Sequence, residues 1–197
     1  KNGFRIVPED VHRLTACMQQ EFPGKPIFLL GHSMGSFIVR NVLSEYGTDY
    51  AGAVIMGTSG KNPLARIAIP IATVIQWLKG GTYRSRFLKE AGFSGFNDRF
   101  PDDPSENAWI TGDKAQRDRY AADPLCSFTF TVSAYLDLYR MLTAVSSEKW
   151  ARTLPKELPI LLISGADDPL GNYGEGIRQV YKWLESAGMW DVSMELV

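Results

Sequence analysis

Pro26-Ile27-Phe28-Leu29-Leu30-Gly31-His32-Ser33-Met34-Gly35 is the stretch on which the reading of this chain turns. Its first five residues form an unbroken apolar run after the breaker Phe22-Pro23-Gly24, the pattern of a short strand buried on both faces of a parallel sheet. The remainder sets a serine between two glycines, Gly31-x-Ser33-x-Gly35, and Phe37, Ile38, Val42 and Leu43 then recur at helical spacing up to Tyr46-Gly47. A bare G-x-S-x-G arises by chance; a strand before it and a helix after it make this one specific. Serine on so sharp a strand-to-helix turn is forced into a strained backbone conformation that lifts its hydroxyl above the sheet edge, while Gly31 and Gly35 let strand and helix approach without a Cβ clash. Ser33 is the candidate nucleophile, with His32 beside it in the elbow. The N–H of Met34, at the positive end of the following helix, points where an oxyanion would develop.

Outward from this turn, strands alternate with helices. Upstream, Pro8, Glu9 and Asp10 suit a first helical turn, and Val11, Leu14 and Met18 form an apolar stripe, which predicts a helix over about 8–21. Downstream, 51–56 is a second buried strand. From Gly57 to about Leu154 the chain is rich in aromatics, Gly, Pro and Arg. Its regular periods are helical: one helix over 64–78, broken or bent at Pro70, and one marked by Tyr135, Leu138, Leu142 and Val145. Ile160-Leu161-Leu162-Ile163 is a third strand, Ile177, Val180, Tyr181 and Leu184 line a helix ending at Gly188, and 192–196 is a fourth strand. The alternation predicts a parallel α/β sheet with right-handed crossovers. We divide the chain into a core part (1–58), a helical cap insertion (59–154) and a second core part (155–197), since structureless loops of that length are uncommon.

The 197 residues, 45% of them apolar, can bury one sizeable core. Twenty-one Lys and Arg against 22 Asp and Glu leave a net charge of -1, which provides no broad basic field and argues against nucleic acid. Cys17 and Cys126 form no C-x-x-C pair, so no zinc site is expected and two buried, free thiols are the simplest reading. No metal or other cofactor is called for. The most apolar stretch, 67–75, is far short of the roughly 20 residues that span a bilayer. Without that or the long apolar region of a secretory signal, the expected location is the cytoplasm.

Three segments together resemble the α/β-hydrolases, in particular the capped branch of monoacylglycerol lipases, lysophospholipases and serine aminopeptidase-like hydrolases. They are 26–36, Asp123-Pro124-Leu125-Cys126-Ser127-Phe128-Thr129-Phe130, and Ile163-Ser164-Gly165-Ala166-Asp167-Asp168-Pro169-Leu170-Gly171. The resemblance is to the C-terminal half of that fold's sheet, with its cap. It implies that Asp168, in the Gly-x-x-Asp pattern after the post-cap strand, is the triad acid that orients a histidine; Asp167 is the runner-up. A plainer role for Asp167-Asp168-Pro169 is to initiate a turn.

The pattern breaks at the base. Only His12 and His32 are present. His32 precedes the nucleophile, so its side chain should diverge from Ser33, and His12 falls outside the apolar stripe, on the solvent-facing side of its helix. In the family the histidine follows the last strand, and a second oxyanion N–H comes from a loop before the first helix seen here. The resemblance thus implies an internal piece of a longer hydrolase, nearly inactive alone, since losing a triad member lowers turnover by about 10⁴ to 10⁶. It also implies an unpaired edge on the first strand.

The substrates that the resemblance implies are small lipid-like esters, of lysophospholipid or monoacylglycerol type. Trp77, Trp109, Phe128 and Phe130 are candidate acyl-pocket residues, although aromatics in a cap more often pack. The apolar stretch 67–75, followed by Lys79, Arg84, Arg86 and Lys89, either rests on an anionic membrane surface or packs on the core; packing is the commoner outcome. An aminopeptidase on the same scaffold and a non-catalytic α/β binding module are the alternatives.

Overall fold

The computed structural model describes residues 2–126 and 128–197. Helix α1 (Gly3–Glu21) leads into β1 (Phe28–His32), and α2 (Met34–Tyr46) joins it to β2 (Gly52–Met56). A long excursion follows with α3 (Pro63–Lys79), α4 (Arg86–Gly92), α5 (Lys114–Ala122), α6 (Val132–Val145) and α7 (Glu148–Ala151). The chain returns to the sheet in β3 (Ile160–Ser164), crosses through α8 (Glu175–Ser186) and ends in β4 (Val192–Leu196). All neighbouring strands are parallel and stand in chain order, β1-β2-β3-β4, with Leu30 opposite Val54, Val54 opposite Leu161 and Leu161 opposite Ser193.

The core forms around the two inner strands. Ile55 and Leu162 are wholly buried; Val42 and Leu43 of α2 and Ile177, Val180 and Leu184 of α8 pack into the same cluster. The excursion is tied into it through the C-terminal half of α6: Met141, Leu142 and Val145 belong to this core, as do Trp150 and Ala151 of α7. The N-terminal half of α6 instead packs Val132, Tyr135 and Leu136 against Ala72 of α3 and Leu88 of α4 in a second cluster. Local signals explain where these helices begin. Asn62, Ser85, Thr131 and Asp113 each accept a hydrogen bond from a backbone N–H in the first turn of α3, α4, α6 and α5.

Several expectations shift. Helix α1 starts five residues before Pro8, which sits inside it and is buried, and its docked face is Phe4, Pro8, Val11 and Thr15. Leu14 and Met18 of the apolar stripe are 63% and 39% exposed. Strand β1 is displaced two residues toward the elbow, because it pairs in register with β2 as far as His32 opposite Met56. It is an edge strand among the described residues, so Phe28 and Leu30 are exposed rather than covered on both faces. Helix α3 runs unbroken through Pro70, whose exposed position lets water satisfy the carbonyl that proline leaves unpaired. Both cysteines are free, and Cys17 is exposed rather than buried. Among the described residues no helix is long and apolar enough to cross a membrane.

Candidate active site

The candidate residues gather at the carboxyl ends of the strands. Ser33 sits between β1 and α2 with φ 54° and ψ −119°, the strained backbone that its motif predicts. Such a conformation costs about 1–3 kcal/mol for a residue with a Cβ and persists only where its surroundings hold it. Here the Ser33 N–H donates to Met56 O at 3.0 Å, and the N–H and Oγ of Ser36 donate to Ser33 O at 2.9 and 2.6 Å. The flanking glycines differ. A Cβ on Gly31 would lie 2.3 Å from Gly35 O and 2.7 Å from Val39 Cγ2, so strand and helix cross there with no room for a side chain. Gly35 has nothing within 4 Å of that position, contrary to the expectation that both glycines relieve a clash. Met34 is the first residue of α2, where backbone N–H groups have no partner within the helix.

The loop after β3 holds Asp167 and Asp168 in different surroundings. Asp168 is half-buried; its Oδ1 accepts the Leu170 N–H at 2.9 Å and its Oδ2 faces Ser164 Oγ at 3.4 Å. The first contact is an Asx turn, so the turn-forming role is real, and Oδ2, which accepts the Ser164 hydroxyl, keeps a lone pair for a second donor. Asp167 points outward to Arg99 of the excursion, 3.1 Å away, and that guanidinium stacks on Tyr173 with its carbon 3.5 Å from the ring centroid. Tyr173 and Asn172 are, with Ser33, the non-glycine residues of positive φ. All of the strained non-glycine positions among the described residues therefore lie in the two loops that carry the candidate chemistry.

Strand order sets the spacing. With β2 between β1 and β3, the loops bearing Ser33 and Asp168 begin about 10 Å apart, two strand spacings, which leaves room for an imidazole between the side chains. Gly57, ending the middle strand with φ 54°, lies beneath that space: a Cβ there would come 3.3 Å from Asp168 Oδ2 and 3.3 Å from His32 Cδ2. The ring of His32 thus turns toward β2 and the acid, and no described side chain hydrogen-bonds Ser33 Oγ. His12 is at the other end of the sheet. Its ring stacks on Tyr46 at 3.8 Å and its Nδ1 lies 3.4 Å from Asp49, just before β2, so it is an element of the α1–α2 packing and not the solvated residue expected.

The candidate acyl-pocket residues do not gather in one place. Trp77 is 83% exposed on α3; Trp109 packs with Phe93 and Phe96; Phe128 and Phe130 lie side by side, Phe130 against Tyr135. A polar concavity between Asp102 and Asp118, containing Lys114 and Arg117, touches none of them and does not reach Ser33. Sequence reasoning missed Gly57, Arg99 and the buried Arg40; only Gly57, a glycine directly after an apolar strand, left any local signal.

A parallel sheet with a strained serine between its first strand and the following helix, and an acid after a later strand, is the architecture of an α/β-hydrolase. The chain belongs to the family described as "Serine aminopeptidase, S33", which matches residues 2–194. It is 30% identical over 171 residues to the monoglyceride lipase of Homo sapiens, covering 86% of this chain and 50% of that protein. Among solved structures it resembles a thermostable carboxyl esterase from Bacillus coagulans in complex with glycerol, with a TM-score of 0.92 and 29% identity over all of this chain and 64% of that one. A lipase in its open form shares the fold at a TM-score of 0.84 and 24% identity, over 100% of this chain and 64% of that one. The chain spans about half the length of the curated relatives it matches.

Proposed function

We propose that this chain is the nucleophile- and acid-bearing part of a serine hydrolase that cleaves small lipid-like carboxylic esters, of the monoacylglycerol or lysophospholipid kind. The observation that carries the reading is the backbone of Ser33, held at φ 54° and ψ −119° at the start of α2. That geometry is unfavourable for stability and useful for exposing a hydroxyl over the carboxyl edge of a sheet. Ser33 Oγ attacks the ester carbonyl while a base takes its proton; the Met34 N–H and the end of the α2 dipole hold the oxyanion. The alcohol leaves with that proton, and water cleaves the acyl-enzyme by the reverse path. Asp168 Oδ2 orients the imidazole and stabilises it when charged.

In this reading the base is neither His12, beyond reach, nor His32, turned toward β2. An imidazole from outside these 197 residues occupies the space over Gly57. The chain alone then turns over about 10⁴ to 10⁶ times more slowly than the whole protein. Likeness to a monoglyceride lipase and to a glycerol-bound esterase supports glycerol esters; the family's description favours an aminopeptidase as the second reading. The test is to treat the full-length protein with a fluorophosphonate and to assay monoacylglycerols beside aminoacyl anilides. Stoichiometric labelling that Ser33→Ala abolishes, with ester turnover lowered by about 10⁴ or more in Ser33→Ala and Asp168→Asn, is the expected result. A folded protein that stays unlabelled, with activity indifferent to Ser33→Ala, would leave a binding module.

The substrate is met at a membrane surface. Helix α3 docks through Ala65, Ala72, Ile69 and Ile75 and leaves Leu64, Ile67, Ile71, Val74, Trp77 and Leu78 exposed, beside Arg66 and Lys79. An apolar stripe with basic neighbours suits the headgroup boundary of anionic lipid. Co-sedimentation with phosphatidylserine-containing vesicles should fall about tenfold or more in the double variant Ile67→Asp, Val74→Asp, with fluorophosphonate labelling retained.

A further inference from the structure

Arg40, two helical turns beyond Ser33 on α2, is fully buried and takes part in no ion pair among the described residues. Its partners are neutral. Nη1 donates to Thr58 Oγ1 at 3.1 Å and to Ser59 O at 2.8 Å, and Nη2 donates to the carbonyl of Val145. The guanidinium carbon lies 4.2 Å from the ring centroid of Trp150, whose Nε1 donates to Arg40 O at 2.7 Å. Val145 is the last residue of α6, so the helix's negative end and the indole face are the nearest substitutes for a counter-charge. Burial alone pushes the Arg40 pKa down to about 9. Desolvating a charge without an opposite charge is unfavourable, so it calls for an explanation other than stability.

What the guanidinium grips is the loop beneath the candidate site. Thr58 and Ser59 are buried and follow Gly57 directly. The far side of this loop meets the acid loop and α8: Thr58 O would lie 3.1 Å from a Cβ on Gly171, and the Lys61 N–H donates to Gln179 Oε1 at 2.6 Å. We infer that Arg40 is a positioning residue: by holding Thr58 and Ser59 to α2 and to the end of α6, it fixes the loop against which Asp168 is set and ties that loop to the root of the helical excursion. This rests on the hydrolase reading for its effect on turnover, and on the described contacts alone for its effect on the loop.

The test is Arg40→Met in the full-length protein, with amide hydrogen exchange and ester kinetics read together. Two amides report the loops: Lys61, bonded to Gln179, and Leu170, bonded to Asp168. Both should exchange about tenfold faster or more, with the β2 and β3 amides unchanged, and kcat should fall about tenfold at constant KM. Thr58→Val, which removes one acceptor and keeps the charge, should give the same pattern at about a third of the size, and stands alone if Arg40→Met does not fold. Exchange that is unchanged at both amides, or faster to the same degree throughout the sheet, overturns the inference. Loss of loop protection with activity indifferent to Ser33→Ala would instead leave Arg40 holding the loop and sink the hydrolase reading.

Discussion

Gly31 and Gly35 are equivalent in the motif and unequal in the molecule. The backbone of α2 crosses β1 directly over Gly31, whereas the space beside Gly35 is open. Gly31→Ala should therefore destabilise the protein by about 1–3 kcal/mol in urea denaturation, the cost of overpacking against backbone. Gly35→Ala should lie within about 0.5 kcal/mol of the parent, because removing a helical glycine offsets any small crowding. At this scale the sequence was informative where the backbone geometry demands a rare residue pattern: the strained turn at Ser33 could be read from its motif, and the Gly-x-x-Asp pattern placed Asp168 in the loop after β3. Arg40 could not be. Its acceptors are 18, 19 and 105 residues away along the chain, and an arginine in an amphipathic helix reads as solvated until something buries it.

Helices show how far periodicity reaches. Helix α1 has more apolar positions than one face can bury, and its neighbours decide which face docks. Thr15 is chosen over Leu14 because its hydroxyl meets Tyr50 OH at 2.9 Å against the sheet's end. Helix α6 reads correctly from Tyr135, Leu138, Leu142 and Val145, yet its two halves serve different clusters, which no repeat of apolar positions could reveal. Tyr135, 3% exposed, makes the upper cluster sensitive to pH. Burial, with Tyr139 close by, pushes its hydroxyl up from 10 to about 12, so the folded state holds the proton more tightly than the unfolded chain does. Its contribution is complete below pH 10 and lost as pH rises toward 12. It amounts to about 3 kcal/mol at most, since each displaced unit is about 1.4 kcal/mol. Thermal melts over that range should fall steeply for the parent and less steeply for Tyr135→Phe.

On the scale of the whole molecule the open flank dominates. Phe28 and Leu30 are exposed on β1, an edge strand whose outer backbone groups are unpaired among the described residues, and Leu14 and Met18 of α1, with Phe22 just after it, are exposed as well. An exposed apolar edge templates pairing with another chain. The isolated 197 residues should bind a hydrophobic dye and scatter light increasingly with concentration, and Phe28→Lys with Leu30→Lys should suppress both. Unchanged scattering in that double variant would place the association elsewhere.

The order of strands and helices, the parallel sheet and the strained serine were determined by the sequence itself, because each depends on contacts within a few residues: apolar runs, helical spacing and glycines at a turn. Which face of α1 docks, why Asp167 points out and Asp168 in, and what Arg40 holds were decided only by tertiary structure. Those outcomes depend on which distant segments meet, and neither periodicity nor composition encodes the partner.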